Sequence, residues 1–264
     1  MKWVYSALTL GLALTVGAFA LSACQTSLIY HPHSEIVQPD IAGVSVEHIR
    51  TSDGQTLVAW YAAPPHGGPI FLYFDGNGGA PEMWDARWRA MIGGGAGFLA
   101  VYYRGYSGST GHPSEAGLHE DARAGYDWLI AHGYEARDIV IDGFSLGSGV
   151  AVRLASERPA RALILEAPFT GVDDVAHYRA GALGALITQH FASRDYIGRV
   201  HMPVFIAHGD ADQAIPFAQG ERLYALANEP KEFVRMPGSS HVSLVRDGVY
   251  THVFDFLARH PVSG

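Results

Sequence analysis

The chain has 264 residues, 18 of them basic and 26 acidic, giving a net charge of −8. It has no basic run, which argues against nucleic acid as a partner. A charged fraction of 17% is low for a disordered chain, and 48% hydrophobic residues at this length can build the core of one large α/β domain or two small ones.

In chain order, the first segment is "MKWVYSALTLGLALTVGAFALSAC". It has one early lysine, an apolar run from Trp3 to Leu21 and small residues before Cys24. That is the layout of an export signal, and the run is also almost long enough to serve as an uncleaved membrane anchor. The string "LSAC" resembles the bacterial lipobox. This implies a signal peptide over 1–23, with Cys24, the chain's one cysteine, acylated (palmitate or a similar chain) as the mature N-terminus. By the same resemblance, Gln25 in place of aspartate implies the periplasmic face of the outer membrane. Residues 24–43 read as a tether, broken by Pro32 and Pro39. His31 and His33 have no third ligand nearby, so they read as surface residues and no metal is expected.

The domain is expected over 44–264. "VSVEHIR" and "TLVAWYA" flank the turn "SDG" as a hairpin, and "PIFLYF" (69–74) is a continuous apolar run suited to a strand buried on both faces. Helix is then predicted for Pro81–Ile92, strand for 97–103, helix for Ser114–His132, strand for 138–143 and helix for Ser145–Glu157. "ALILEA" and "PVFIAHG" read as strands, Ala218–Ala227 as helix, "KEFVRM" as the last strand and Val249–Arg259 as the last helix. This alternation predicts a mostly parallel central sheet with helices on both faces, in one domain.

The chemistry centres on "DGFSLGSG" (142–149). Ser145 stands where a predicted strand meets a predicted helix, at the strand ends where open parallel sheets bind ligands. Gly143 and Gly147 suit a tight strand-to-helix turn, and the helix N-terminus favours a developing oxyanion. A serine nucleophile needs a base and an orienting acid. Asp210 and Asp212 follow the strand "VFIAHG", and His241 follows the last strand; both loops lie at the same sheet edge as Ser145. His208 precedes the acid and is the second choice of base. For the oxyanion hole the candidates are the N–H groups of Leu146 and of Asn77 in "DGNGG" (75–79).

These residues carry a resemblance to the α/β-hydrolase superfamily, in its serine aminopeptidase-like or esterase-like branch. "HGDADQAIP" is similar to the family's "HGxxDxxxP", which makes Asp212 the acid and leaves Asp210 to brace the loop. "YRGYSGSTGHPSEAGLHEDARAGYDWL" (103–129) matches the branch over a longer stretch. Asp75 stands where the branch commonly has histidine, and is expected to point away from the oxyanion.

The resemblance implies a Ser145–His241–Asp212 triad hydrolysing an ester or thioester through an acyl-enzyme, with no cofactor. The expected partners are a small acyl substrate and a membrane reached through the lipid anchor. The short span from Thr170 to His201 leaves room for only a small cap, and "AGALGALITQHF" (180–191) either lines the cleft or packs as an ordinary helix. Two other readings remain: an aminopeptidase, which needs an acidic grip from Glu166, Asp173 or Asp174, and a non-catalytic binding module on the same fold.

Overall fold

The computed structural model describes residues 26–33, 37–65, 67–79, 85–181 and 187–261. The signal-peptide and Cys24 readings lie outside these residues. Among the described residues, no helix is long and apolar enough to cross a membrane.

Among the described residues, eight strands form one sheet: β1 (Val44–Arg50), β2 (Thr56–Ala62), β3 (Ile70–Phe74), β4 (Gly97–Val101), β5 (Ile139–Phe144), β6 (Ala162–Glu166), β7 (Val204–Gly209) and β8 (Lys231–Met236). Their order is β1-β2-β4-β3-β5-β6-β7-β8. β2 runs antiparallel to both β1 and β4, and every other pairing is parallel. β3 through β7 are buried along their whole length, as their unbroken apolar runs require, whereas edge strands β1 and β8 keep half-exposed positions.

Among the described residues, six α-helices connect the strands and a seventh follows the last: α1 (Asp85–Gly93), α2 (Glu115–Ala131), α3 (Leu146–Ala155), α4 (Val172–Ala180), the single turn α5 (Ser193–Tyr196), α6 (Phe217–Leu226) and, after β8, α7 (Val249–Arg259). α1 and α7 share one face, joined through Arg87 and Tyr250, and Phe254 of α7 packs on Phe71 of β3. α2, α3, α5 and α6 pack in succession on the other face. Ser114 caps α2, its hydroxyl accepting the Gly117 N–H at 3.1 Å, so the predicted start holds.

Two expectations change. The strand predicted over 97–103 stops at Val101: Tyr102 still donates its N–H to the Val58 carbonyl of β2 at 3.0 Å, but Tyr103 opens a turn, its carbonyl accepting the Tyr106 N–H at 2.9 Å. Between β6 and β7 the helices α4 and α5 lie on either side of the stretch singled out in sequence, and Ile187–Phe191 within that stretch is not helical. Residues 81–84 and 182–186, parts of the predicted first helix and of the cap stretch, lie outside the described residues.

The sheet order reverses at β3: the chain leaves β3 for β4 on one side and later returns to β5 on the other. The carboxyl ends of β3 and β5 thus flank a switch point, the place where an open α/β sheet leaves a crevice.

Candidate active site

Ser145 follows β5 and precedes α3, with φ 52° and ψ −119°. For a residue with a Cβ that is strained backbone, held here by its surroundings. Its N–H donates to the Glu166 carbonyl at 2.9 Å, and its carbonyl accepts the Ser148 N–H at 2.9 Å. The flanking glycines are there for space. A Cβ on Gly143 would stand 2.4 Å from the Gly147 carbonyl oxygen, and one on Gly147 would stand 2.0 Å from the Phe74 carbonyl oxygen. α3 can therefore rest directly against the ends of β3 and β5 only if both residues lack side chains.

Although Ser145 occupies the N-cap of α3, its hydroxyl makes no cap bond. It donates instead to His241 Nε2 at 2.9 Å, and His241 Nδ1–H donates to Asp212 Oδ2 at 2.7 Å. The tautomer follows from the partners, since a carboxylate only accepts. Asp212 Oδ1 accepts the N–H groups of Ala214 and Ile215 at 2.7 and 2.8 Å. Burial pushes the Asp212 pKa up, but hydrogen bonds from His208, His241 and the Ile215 N–H outweigh it and hold the carboxyl well below the usual carboxylate range. The acid is therefore ionised wherever the imidazole needs orienting. Asp210 accepts the Gly238 N–H at 2.7 Å and pairs with Arg235, tying the acid loop to the loop that carries His241.

His208, the second candidate base, is turned to the acid loop. Fully buried, it donates from Nε2 to the Ile215 carbonyl at 3.1 Å and lies 3.3 Å from Asp212 Oδ2. It is a brace for the acid, a role that a histidine at a strand end does not reveal in sequence.

The loop 75–79 is held from three sides. The Asn77 carbonyl accepts the His31 N–H at 2.9 Å and the Tyr106 hydroxyl at 2.8 Å, and the Asp75 carbonyl accepts the Tyr103 hydroxyl at 2.8 Å. Asn77 lines the same cleft as Ser145 and Leu146. Asp75 is not among the lining residues: it is buried, and its Oδ1 accepts from the Tyr73 hydroxyl and the Gly76 N–H. The two tyrosines and the backbone of His31 are the supports that sequence reading missed. The His31 and His33 side chains are exposed, and no described cluster of His, Cys, Asp or Glu could hold a metal ion.

Beneath the elbow lies a polar network with no access to solvent. Arg87 forms a two-pronged pair with Glu166 and donates to the Tyr250 hydroxyl at 2.8 Å, which in turn donates to Asp142 Oδ2 at 2.9 Å. Burial, reinforced by the Glu166 charge, pushes the Asp142 pKa well up despite Arg87. Glu166 therefore cannot grip a substrate ammonium. Asp173 and Asp174 are both paired with Arg194. The acids on which an aminopeptidase reading relied are committed elsewhere.

The cleft over Ser145 encloses about 380 Å³. Its walls are mostly apolar: Leu28 and Ile29 from the N-terminal segment, Phe169, Val172 and Val175 from the cap region, and Ile215. Such a lining suits a hydrocarbon chain leading to a polar reacting centre.

The sheet order, with its helices on both faces, is that of the α/β-hydrolase fold. No family model matches the chain. It is 40% identical over 228 residues to the uncharacterized protein Rv2307c of Mycobacterium tuberculosis, covering 82% of this chain and 80% of that one. It is 33% identical over 186 residues to the lysophosphatidylserine lipase ABHD12 of Danio rerio, covering 62% of this chain and 48% of that protein. The esterase Pf2001 of Pyrococcus furiosus superposes with a TM-score of 0.70 at 19% identity, over 88% of this chain and 99% of the esterase, a likeness of fold. The chain belongs to the same family as Rv2307c, and its fold is that of the α/β-hydrolases.

Proposed function

We propose that the chain is a serine hydrolase of carboxylic esters or thioesters. The observation that carries the reading is the unbroken hydrogen-bond chain from Asp212 through His241 to Ser145, with the serine held on a strained elbow. Ser145 Oγ attacks the carbonyl carbon as His241 Nε2 takes the hydroxyl proton. The oxyanion is met by the N–H groups of Leu146, at the start of α3, and of Asn77. Collapse breaks the bond to the leaving group, which receives the proton from His241. Water then attacks the acyl-enzyme, giving its proton to the same nitrogen; the bond from Ser145 Oγ to the acyl carbon breaks, Oγ takes the proton back from His241, and the acid departs. Asp212 keeps the imidazole in the tautomer that presents Nε2 to the serine. The cycle moves only protons and acyl groups among these residues, so it requires no cofactor. The lipase name of the zebrafish relative and the apolar cleft both support an acyl ester.

A fluorophosphonate probe tests the reading: it labels the wild type, fails on Ser145→Ala and labels His241→Ala far more slowly. Labelling of Ser145→Ala at the wild-type rate would move the nucleophile elsewhere.

The same proposal puts the enzyme on a membrane, exported and acylated at Cys24, at the periplasmic face of the outer membrane. Its support is the order of lysine, apolar run, small residues and lone cysteine. Cells fed a labelled fatty acid tag the wild type and not Cys24→Ser; a tag surviving in the variant refutes it.

A further inference from the structure

We infer that Arg179 selects substrates carrying an anionic group, a phosphate or a carboxylate, near the scissile ester; this rests on the esterase reading above. Among the described residues, Arg179 is the one formally charged side chain lining the cleft, His241 being the titratable base. It extends from the last turn of α4 to the acid loop, where its Nη2 donates to the carbonyls of Gln213 and Ala214 at 2.6 and 2.7 Å.

The acid loop explains why it stops there. The N–H groups of Ala214 and Ile215 turn inward to Asp212, leaving the Gln213 and Ala214 carbonyls turned towards the rim. These two acceptors fix the guanidinium beside the cleft mouth without neutralising it. Arg179 forms no ion pair with any described acid; its nearest acidic neighbours on α4, Asp173 and Asp174, are held by Arg194. An arginine has five N–H donors in a fixed plane, and the two carbonyls engage only Nη2. The remaining edge suits the oxygens of a carboxylate or phosphate, the two anions that match this fork. In a chain with net charge −8, an uncompensated cation on the wall of the reaction cleft is a recognition element rather than part of the general surface balance. The apolar walls and this cation divide the cleft's tasks between an acyl chain and an anionic leaving group.

The test uses the full-length protein and four esters with one common acyl chain: acylglycerol, acylglycerol 3-phosphate, acylglycerate and acylcholine. Wild type favours one or both anionic esters over acylglycerol in kcat/KM, mostly through KM, and the preference shrinks with added salt. Which anionic ester gains more separates phosphate from carboxylate. In Arg179→Gln the anionic-to-neutral ratio falls about tenfold, the scale of one partly exposed charge-assisted contact. Arg179→Lys keeps most of the ratio, and Arg179→Glu shifts the preference to acylcholine. Equal losses on all four esters in Arg179→Gln would make the residue a mere strut between α4 and the acid loop and overturn the inference. So would a wild type without preference. Either result with fluorophosphonate labelling of Ser145 intact refutes this inference alone, whereas absent labelling refutes the esterase reading and this inference with it.

Discussion

Gly147→Ala is the smallest change that separates the elbow from its oxyanion loop. The added methyl would lie 2.0 Å from the Phe74 carbonyl oxygen, 2.5 Å from the Phe74 carbonyl carbon and 2.7 Å from the Asp75 carbonyl oxygen. All three are backbone atoms, so no rotamer change relieves the clash. Bringing the shortest contact to 3.0 Å requires α3 and the end of β3 to part by about 1 Å. That end of β3 runs directly into the loop bearing Asn77, so the two proposed oxyanion donors move apart with it. A misplacement of about 1 Å at a reacting centre costs about 100-fold in rate. Overpacking of this kind also destabilises by about 1–3 kcal/mol, and at about 2–4 °C per kcal/mol for a domain this size the melting temperature falls by about 2–12 °C. The assay is kcat/KM on a p-nitrophenyl ester, with a thermal melt on the same preparation. Gly78→Ala is the control: it sits in the same loop, where a Cβ meets nothing within 4 Å and φ needs no glycine. Wild-type rate and melting temperature in Gly147→Ala would show that the approach of α3 to β3 does not set the oxyanion hole.

Three further outcomes follow from the site and the network beneath it. Asp212→Asn keeps the acid's shape but lets the imidazole take the wrong tautomer, so kcat falls about 10⁴-fold while Asp210→Asn loses far less; similar losses would reassign the acid. His208→Ala leaves the Ile215 carbonyl without its buried donor and opens a hole under the acid loop, costing about 2–5 kcal/mol in urea unfolding, yet Ser145 still reacts with fluorophosphonate; abolished labelling in a folded variant would make His208 the base. Asp142 governs a pH effect. Its folded pKa lies above the unfolded value, so folding takes up a proton, and stability falls as pH rises above about 4, by up to about 1.4 kcal/mol per pH unit until the folded carboxyl also ionises. Asp142→Asn makes that slope shallower, Asp121, which burial also raises, to about 6, keeping its own share, as urea unfolding between pH 4.5 and 7.5 would show; an unchanged slope would mean that Asp142 is already ionised in the folded protein.

Much of this protein is written in short windows of its sequence. Short continuous apolar runs such as "IFLYF" and "ALILE", bounded by turn residues, suit strands covered on both faces, and Gly143 and Gly147 around Ser145 announce a turn where side chains do not fit. The order serine, acid, histidine, each after a strand, put Ser145, Asp212 and His241 on one edge before any coordinate was known. Those signals are local, or depend only on which end of a strand a loop leaves.

The fold alone decided what depends on distant residues meeting. Sequence offered Glu166 as an acid that could grip a substrate ammonium, and packing buried it against Arg87, 79 positions away. His208 became a brace because β7 brings it beneath the turn that carries Asp212. The oxyanion loop is pinned by Tyr103, Tyr106 and the backbone of His31, and Arg179 reaches the cleft because α4 crosses beside the acid loop. A side chain's type limits the partners it can take. Which partner it meets, and whether water reaches them, is settled only when the strands have assembled, because desolvation and hydrogen bonding act through space and carry no mark of separation along the chain.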